Sequence, residues 1–309
     1  MKSKQTKKKV KIHGVWETNK AYLFLIPGLF VFFALNLYPI IFSIYLGFTD
    51  AYFGNITGKY QFIGLKNFEK LLISGDTRFY YILGRTFLFL ATSVPLKVLF
   101  GLVLAVIFNQ QMIKGRGVFR SLLVLPWALP AVLSILTWRG LFYYDFGAIN
   151  GLLQAIGIPR INWLNDVTNA FITYNIVEVW LAYPFMMTVI LAALQSVPLE
   201  LHDSAKVDGA STWQRLRYIT LPLIWRPLLF AIVLTSGASF QAFMVPYLLN
   251  SGGPANQNEL VMVWGYKQAF QNPGIYGSMG LAAAFFVLIS LIILAFSYAG
   301  LKLGKITVE

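Results

Sequence analysis

Two ionisable residues stand deep inside apolar stretches of this 309-residue sequence: Lys97, in VPLKVLF, and Glu178, in NIVEVWLAYPF. A third, Arg85, lies nearer the end of its stretch. At the centre of a hydrocarbon layer a charge costs at least about 2.5–3.5 kcal/mol, so such groups pair, face a cavity or carry protons. Three chemistries are open for Glu178: an ion pair locking two helices through Lys97, a carboxylate in a polar substrate cavity, or a step in a proton relay. Arg85 is expected to snorkel toward the boundary.

Other catalytic constellations are missing. The two histidines, His13 and His202, are too few for a His-based metal site or triad. With no cysteine, disulfides, thiolate metal sites and thiol nucleophiles are excluded. No G-x-x-x-x-G-K-[ST] phosphate loop occurs; Gly58-Lys59 and Gly304-Lys305 lack its spacing and hydroxyl. An enzymatic reading is disfavoured, and a machine driven by ATP would keep its nucleotide site on another chain.

The elements that must position these residues are membrane spans. The sequence is 57% hydrophobic, 16% aromatic and only 12% charged, with a mean hydropathy of +0.65. That balance excludes both a water-soluble globule and a disordered chain. Six apolar segments are predicted, roughly 21–48, 81–108, 119–139, 169–195, 223–248 and 276–301, each about the length a bilayer requires. The fold class expected is all-α and polytopic: a basic tail (1–20), a six-helix domain (21–301) and a short tail (302–309). The first run is longer than a signal peptide's apolar core and is read as a retained span. Prolines inside several spans fit a packed bundle around a moving pathway.

Charge sets the expected orientation. Fifteen Lys and Arg fall on the side of the N-terminus, seven of them in the first 20 residues, against six on the other side. Both termini are therefore expected in the cytoplasm. The basic tail is read as a topology signal that also touches anionic lipid, not as a nucleic-acid platform.

The most informative segment is the inner loop 196–222, SVPLELHDSAKVDGASTWQRLRYITLP. Ser196 is expected to cap a short helix carrying Pro198 in its first turn. Gly209 supplies a turn requiring φ > 0. Ser211 and Gln214 form a capping box for a second helix, on which Trp213, Leu216 and Ile219 recur at threes. Two readings remain open from the residues: an amphipathic hairpin lying on lipid, or a docking knob for a cytoplasmic partner.

These residues carry a resemblance. Asp203-Ser204-Ala205, Asp208-Gly209-Ala210-Ser211 and Ile219-Thr220-Leu221-Pro222 resemble the EAA loop of ABC importer permeases, with Asp203 for the usual Glu and Ser204 for the usual Ala. The chain from about Lys20 onward is similar to the sugar-type, MalF-like branch. Further matches are Tyr38-Pro39, Phe62 to Phe68 (FIGLKNF), Pro126 to Pro130 (PWALP), Tyr183-Pro184-Phe185 and Gly252-Gly253-Pro254. Asn250 and Asn258 stand where the family has outer-loop threonines.

The resemblance implies a type I ABC importer permease fold. The implied partners are a second permease, two ATP-binding subunits that hold the ATP and Mg, and an extracytoplasmic solute-binding protein. The implied cargo is a sugar or polyol. Coupling to the ATPases would fall to Asp203, Ser204, Ala205, Asp208, Gly209, Ala210, Trp213 and Arg215. For a sugar path, aromatic faces and polar groups are wanted, which nominates Glu178, Tyr183, Phe240, Gln241 and Phe243. The competing class is an ion-coupled secondary transporter using Lys97 and Glu178.

Overall fold

The computed structural model describes residues 15–303 except 53, 56, 57, 59, 74–77, 111 and 272–278, with side chains from residue 22 apart from those of 301 and 303. The six lysines of the N-terminal tail before Lys20, His13, Lys59, Gly304 and Lys305 fall outside this description. Among the described residues the chain is helical, with one isolated bridge between Thr49 and Phe62.

The first span joins α1 (Val15–Phe32) to α2 (Tyr38–Leu46) through a π-turn at Phe33–Leu37. Pro39 explains the widened turn: without an N–H it cannot bond the carbonyl one turn back. Of the 25 residues Tyr22–Leu46, Leu46 is the apolar residue that becomes buried; the rest form an outward-facing apolar rod. A helix apolar on all sides suits lipid or another membrane helix, not water.

After the short α3 (Lys66–Leu72), the long α4 (Arg78–Asn109) pairs with α8 (Val167–Gln195) as the central contact of the bundle. Gly101 permits that approach: a Cβ there would fall 2.8 Å from the Met186 side chain. Asp166 caps α8, its carboxylate accepting the Asn169 N–H at 2.8 Å.

The expected single span at 119–139 is broken. α5 (Arg116–Ala128) and α6 (Ala131–Leu141) meet at 92°. Pro130 supplies the cause: it forces Leu129 into extended backbone (φ −79°, ψ 144°) and cannot donate to a preceding turn. By length and composition five helices can cross a membrane, or six with this bent pair as one span.

The remaining elements are α7 (Ala148–Ala155), α9 (Leu199–Val207), α10 (Thr212–Arg215), α11 (Leu221–Phe240), α12 (Met244–Asn250), α13 (Val261–Tyr266) and α14 (Met279–Leu303). The fifth expected span, 223–248, falls within the candidate span Thr212–Asn250, whose helix is interrupted after Phe240 before α12 begins. Three apolar clusters hold the bundle, centred on Phe285 and Trp264, on Phe89 and Tyr174, and on Met186, Ile190 and Ile224.

Candidate coupling hairpin and polar pathway

The loop between α8 and α11 folds as two short helices. α9 ends in a Schellman turn: the Ala210 N–H donates to the Ala205 carbonyl at 2.8 Å and the Gly209 N–H to Lys206 at 3.0 Å. Gly209 sits at φ +80°, where a side chain would be strained. One turn later the capping box is complete: the Ser211 hydroxyl accepts from the Gln214 N–H, and the Gln214 side chain accepts from the Ser211 N–H at 2.7 Å. Ser196 does not cap α9. Its hydroxyl instead donates to Ala193 at the end of α8, and Pro198 takes the cap position.

The hairpin projects its chemistry outward. Trp213 is 64% exposed. Asp203 is exposed and pairs with Lys206 at 2.7 Å. That hydrogen-bonded ammonium holds the Asp203 carboxyl below the usual carboxylate range. Ser204 donates back to Glu200, and Asp208 ends α9, so the predicted coupling residues gather on one small knob.

Deep in the bundle the structure brings Lys97 and Glu178 together. The Lys97 ammonium, 2% exposed, lies 2.8 Å from the Glu178 carboxylate and donates to the Ser239 hydroxyl at 2.8 Å. One cation thereby ties α4 to both α8 and α11. Ser239 was not singled out from sequence as a partner of Lys97, because a serine in an apolar run carries no pairing signal of its own.

The nominated pathway residues are spread over different environments. Gln241 is exposed at the end of α11, with a long 3.4 Å bond to the Gly237 carbonyl. Phe243 is half-buried and stacks on Tyr247 (centroids 4.9 Å) beside Tyr266. Tyr183 is buried edge-on to Phe100, and Phe240 is 1% exposed, edge-on to Phe87 within the bundle. In this conformation Tyr183 and Phe240 are packing residues, whereas Gln241 offers free polar groups.

Opposite the hairpin, a polar clasp was invisible in the sequence. Arg85 donates to Asn258 and lies 4.7 Å over the Phe171 ring. Asn258, fully buried, also donates to the carbonyls of Val167 (2.8 Å) and Gly253 (3.1 Å). Asn250 accepts from the Tyr174 hydroxyl and donates to Leu164 at 2.7 Å. Glu259, 2% exposed, binds Arg78 at 3.1 Å and Lys267 at 2.7 Å. Residues 250–259 are thereby fastened to the starts of α4 and α8. The two asparagines standing for threonines serve here as hydrogen-bond hubs.

Comparison with known proteins places this architecture. Residues 77–302 match the family described as binding-protein-dependent transport system inner membrane component. The chain is 32% identical over 290 residues to the trehalose/maltose transport system permease protein MalF of Thermococcus litoralis, covering 94% of this chain and 95% of that one. It is also 32% identical to the galactooligosaccharides transport system permease protein GanP of Bacillus subtilis, over 87% of this chain and 66% of that one. Among solved structures, a bacterial ABC transporter involved in alginate import superposes with a TM-score of 0.80 at 21% identity, over 96% of this chain and 99% of the other. That likeness shows the fold. With helical spans, a Schellman-and-capping-box hairpin between the α8 and α11 spans, and a family match over most of its length, the chain belongs to the binding-protein-dependent inner-membrane permeases of ABC importers and has their type I fold.

Proposed function

We propose that this permease carries a mono- or oligosaccharide, or a related polyol, across the cell membrane with both termini in the cytoplasm. It does so beside a second permease, with two ATP-binding subunits that hold ATP and Mg and an extracytoplasmic solute-binding protein that delivers the sugar. The observation that carries the reading is the hairpin: a rigidly capped knob whose largest side chain, Trp213, is exposed and free to enter a partner's cleft. Such an indole, beside the charges of Asp203 and Arg215, suits a protein interface. The sugar class draws its support from the relatives, whose names carry trehalose, maltose and galactooligosaccharides.

Alternating access is the mechanism this reading implies. Closure of the ATPase pair moves the hairpin, and α8 and α11, which flank it, carry the motion to the pathway. Gln241 and Phe243 are the side chains best placed to meet hydroxyls and a sugar face, with Glu178, Tyr183 and Phe240 behind them. Ion coupling through Lys97 and Glu178 is the weaker reading, since both groups are spent on each other and on Ser239. The test is reconstitution with ATPase partners and binding protein. Sugar uptake that requires ATP, and falls when Gln241 becomes Leu, supports the reading; uptake driven by an ion gradient without ATPase subunits overturns it.

A further inference from the structure

Between the hairpin and the ends of the spans lies a cavity of about 640 Å³ whose lining includes two of the proposed coupling residues, Asp203 and Arg215. Its walls come from the end of α4 at Asn109, the start of α5 at Arg116, the end of α8 at Gln195, and α9 and α10. It therefore opens beneath the hairpin, on the bundle side, and a second cavity of about 200 Å³ adjoins it through Asn109, His202 and Arg215.

The charge in this space is one-sided. Arg116, Lys206 and Arg215 line it with His202, against a single carboxylate, Asp203. Lys206 is already matched to Asp203 at 2.7 Å. That leaves two guanidinium groups. Arg116 makes no ion pair among the described residues. Arg215 spends one Nη on the Thr212 hydroxyl at 3.2 Å, while its Nε is buried without a hydrogen-bond partner. A buried, unpaired guanidinium N–H is costly, and an anion is the group that satisfies it best. Leu194 and Val197, both buried, add an apolar wall on the bundle side of the same cavity, and Leu199 of α9 lines it too.

We infer that this cavity binds a phosphate-bearing anion, with Arg116 and Arg215 as its ligands. An anionic phospholipid headgroup and free phosphate share that chemistry. Basic pockets between spans on the cytoplasmic side suit such headgroups, and the apolar wall suits the glycerol and upper acyl chain of a lipid. Because the cavity shares Asp203, Lys206 and Arg215 with the hairpin, an occupant there stiffens the knob that the ATPases must grip. The inference rests on the proposed orientation only for the leaflet that supplies the lipid.

The experiment uses the purified complex in phosphatidylcholine nanodiscs, with or without phosphatidylglycerol, and counts retained lipid by native mass spectrometry. The intact complex should retain phosphatidylglycerol over phosphatidylcholine. Arg116→Gln should lower that retention about fivefold, the effect of one cation on one anionic headgroup, and adding Arg215→Gln should lower it further. If the double variant does not assemble, Arg116→Gln, outside the hairpin, still decides. Radiolabelled inorganic phosphate held in pure phosphatidylcholine, and lost with Arg116→Gln, supports the site with free phosphate as its source. Retention of both probes unchanged in the variants overturns the inference. Thiol labelling of the Ser211→Cys variant, in this cysteine-free chain, reports the orientation separately: labelling from outside refutes the proposed topology and leaves the anion result standing.

Discussion

Replacing Glu178 with glutamine puts the buried triad to a quantitative test. Lys97 has two side-chain partners, the Glu178 carboxylate and the Ser239 hydroxyl, both at 2.8 Å, and its side chain is 2% exposed. Glutamine keeps the shape and an accepting oxygen but removes the counter-charge. Breaking a buried pair from one side costs about 3–5 kcal/mol. At about 2 °C per kcal/mol for a chain of this size, the midpoint should fall by about 6–10 °C. The assay is thermal unfolding of the purified complex in detergent, with ATP-driven uptake measured per assembled complex. Lys97→Met should cost less, because Glu178, 15% exposed, can reach water. The double variant Lys97→Met/Glu178→Gln should recover much of the loss, since no uncompensated charge remains. A Glu178→Gln complex as stable as the parent, or a double variant no better than the single, would refute the pairing argument.

Three further outcomes are expected. Gly209→Val should strain the φ +80° turn by about 1–2 kcal/mol and uncouple ATP hydrolysis from uptake while the complex still assembles; normal uptake would show that the turn is not needed. Gly101→Ala should drive a methyl to within 2.8 Å of Met186 and destabilise the α4–α8 contact by about 1–3 kcal/mol, with Met186→Ala relieving it in a thermal-shift measurement. The lowered pKa of Asp203 means that its Lys206 contact contributes above the ordinary carboxylate pKa and is lost only as pH falls through the lowered value. ATPase coupling should therefore stay flat from neutrality down to about pH 5, and Asp203→Asn should not change that profile.

What could be read from the sequence was local. Gly209, Ser211 and Gln214 act through bonds spanning three to five residues, so their grammar is complete within one loop. The Lys97–Glu178 contact joins positions 81 apart, yet it was open to reading because two charges in apolar runs have few other options. The outer clasp had no such signal. Arg85 and Asn258 are 173 residues apart, and Arg78 and Lys267 count equally well as loop charges until the fold sets Glu259 between them. The break at Pro130 was hidden for the opposite reason. Prolines persist in many membrane helices, so Pro126 and Pro130 did not reveal which would turn the chain through 92°. Phe240 and Gln241 are sequence neighbours with opposite fates: the helix ends between them, burying one and exposing the other.

Under the proposed function, the placement of these features gives a displacement at the hairpin a route to the proposed pathway. α8 runs into the hairpin and α11 runs out of it. Glu178 stands 17 residues before the end of α8 and Ser239 stands 18 residues after the start of α11, so each lies about 25–27 Å from the hairpin along its helix. Lys97 bonds both at that shared distance, which makes the two helices a pair of near-equal arms joined at one buried cation. Beyond that joint, Asn250, Asn258 and Glu259 pin the far ends to α4 and α8. A push on the knob then meets a fixed clasp at one end and a charge-locked crosslink on the way. The arms can tilt together about the crosslink but resist sliding past each other, because sliding would strip buried Lys97 of a partner. The short, non-helical break after Phe240, where Gln241 is exposed, lies just beyond that crosslink.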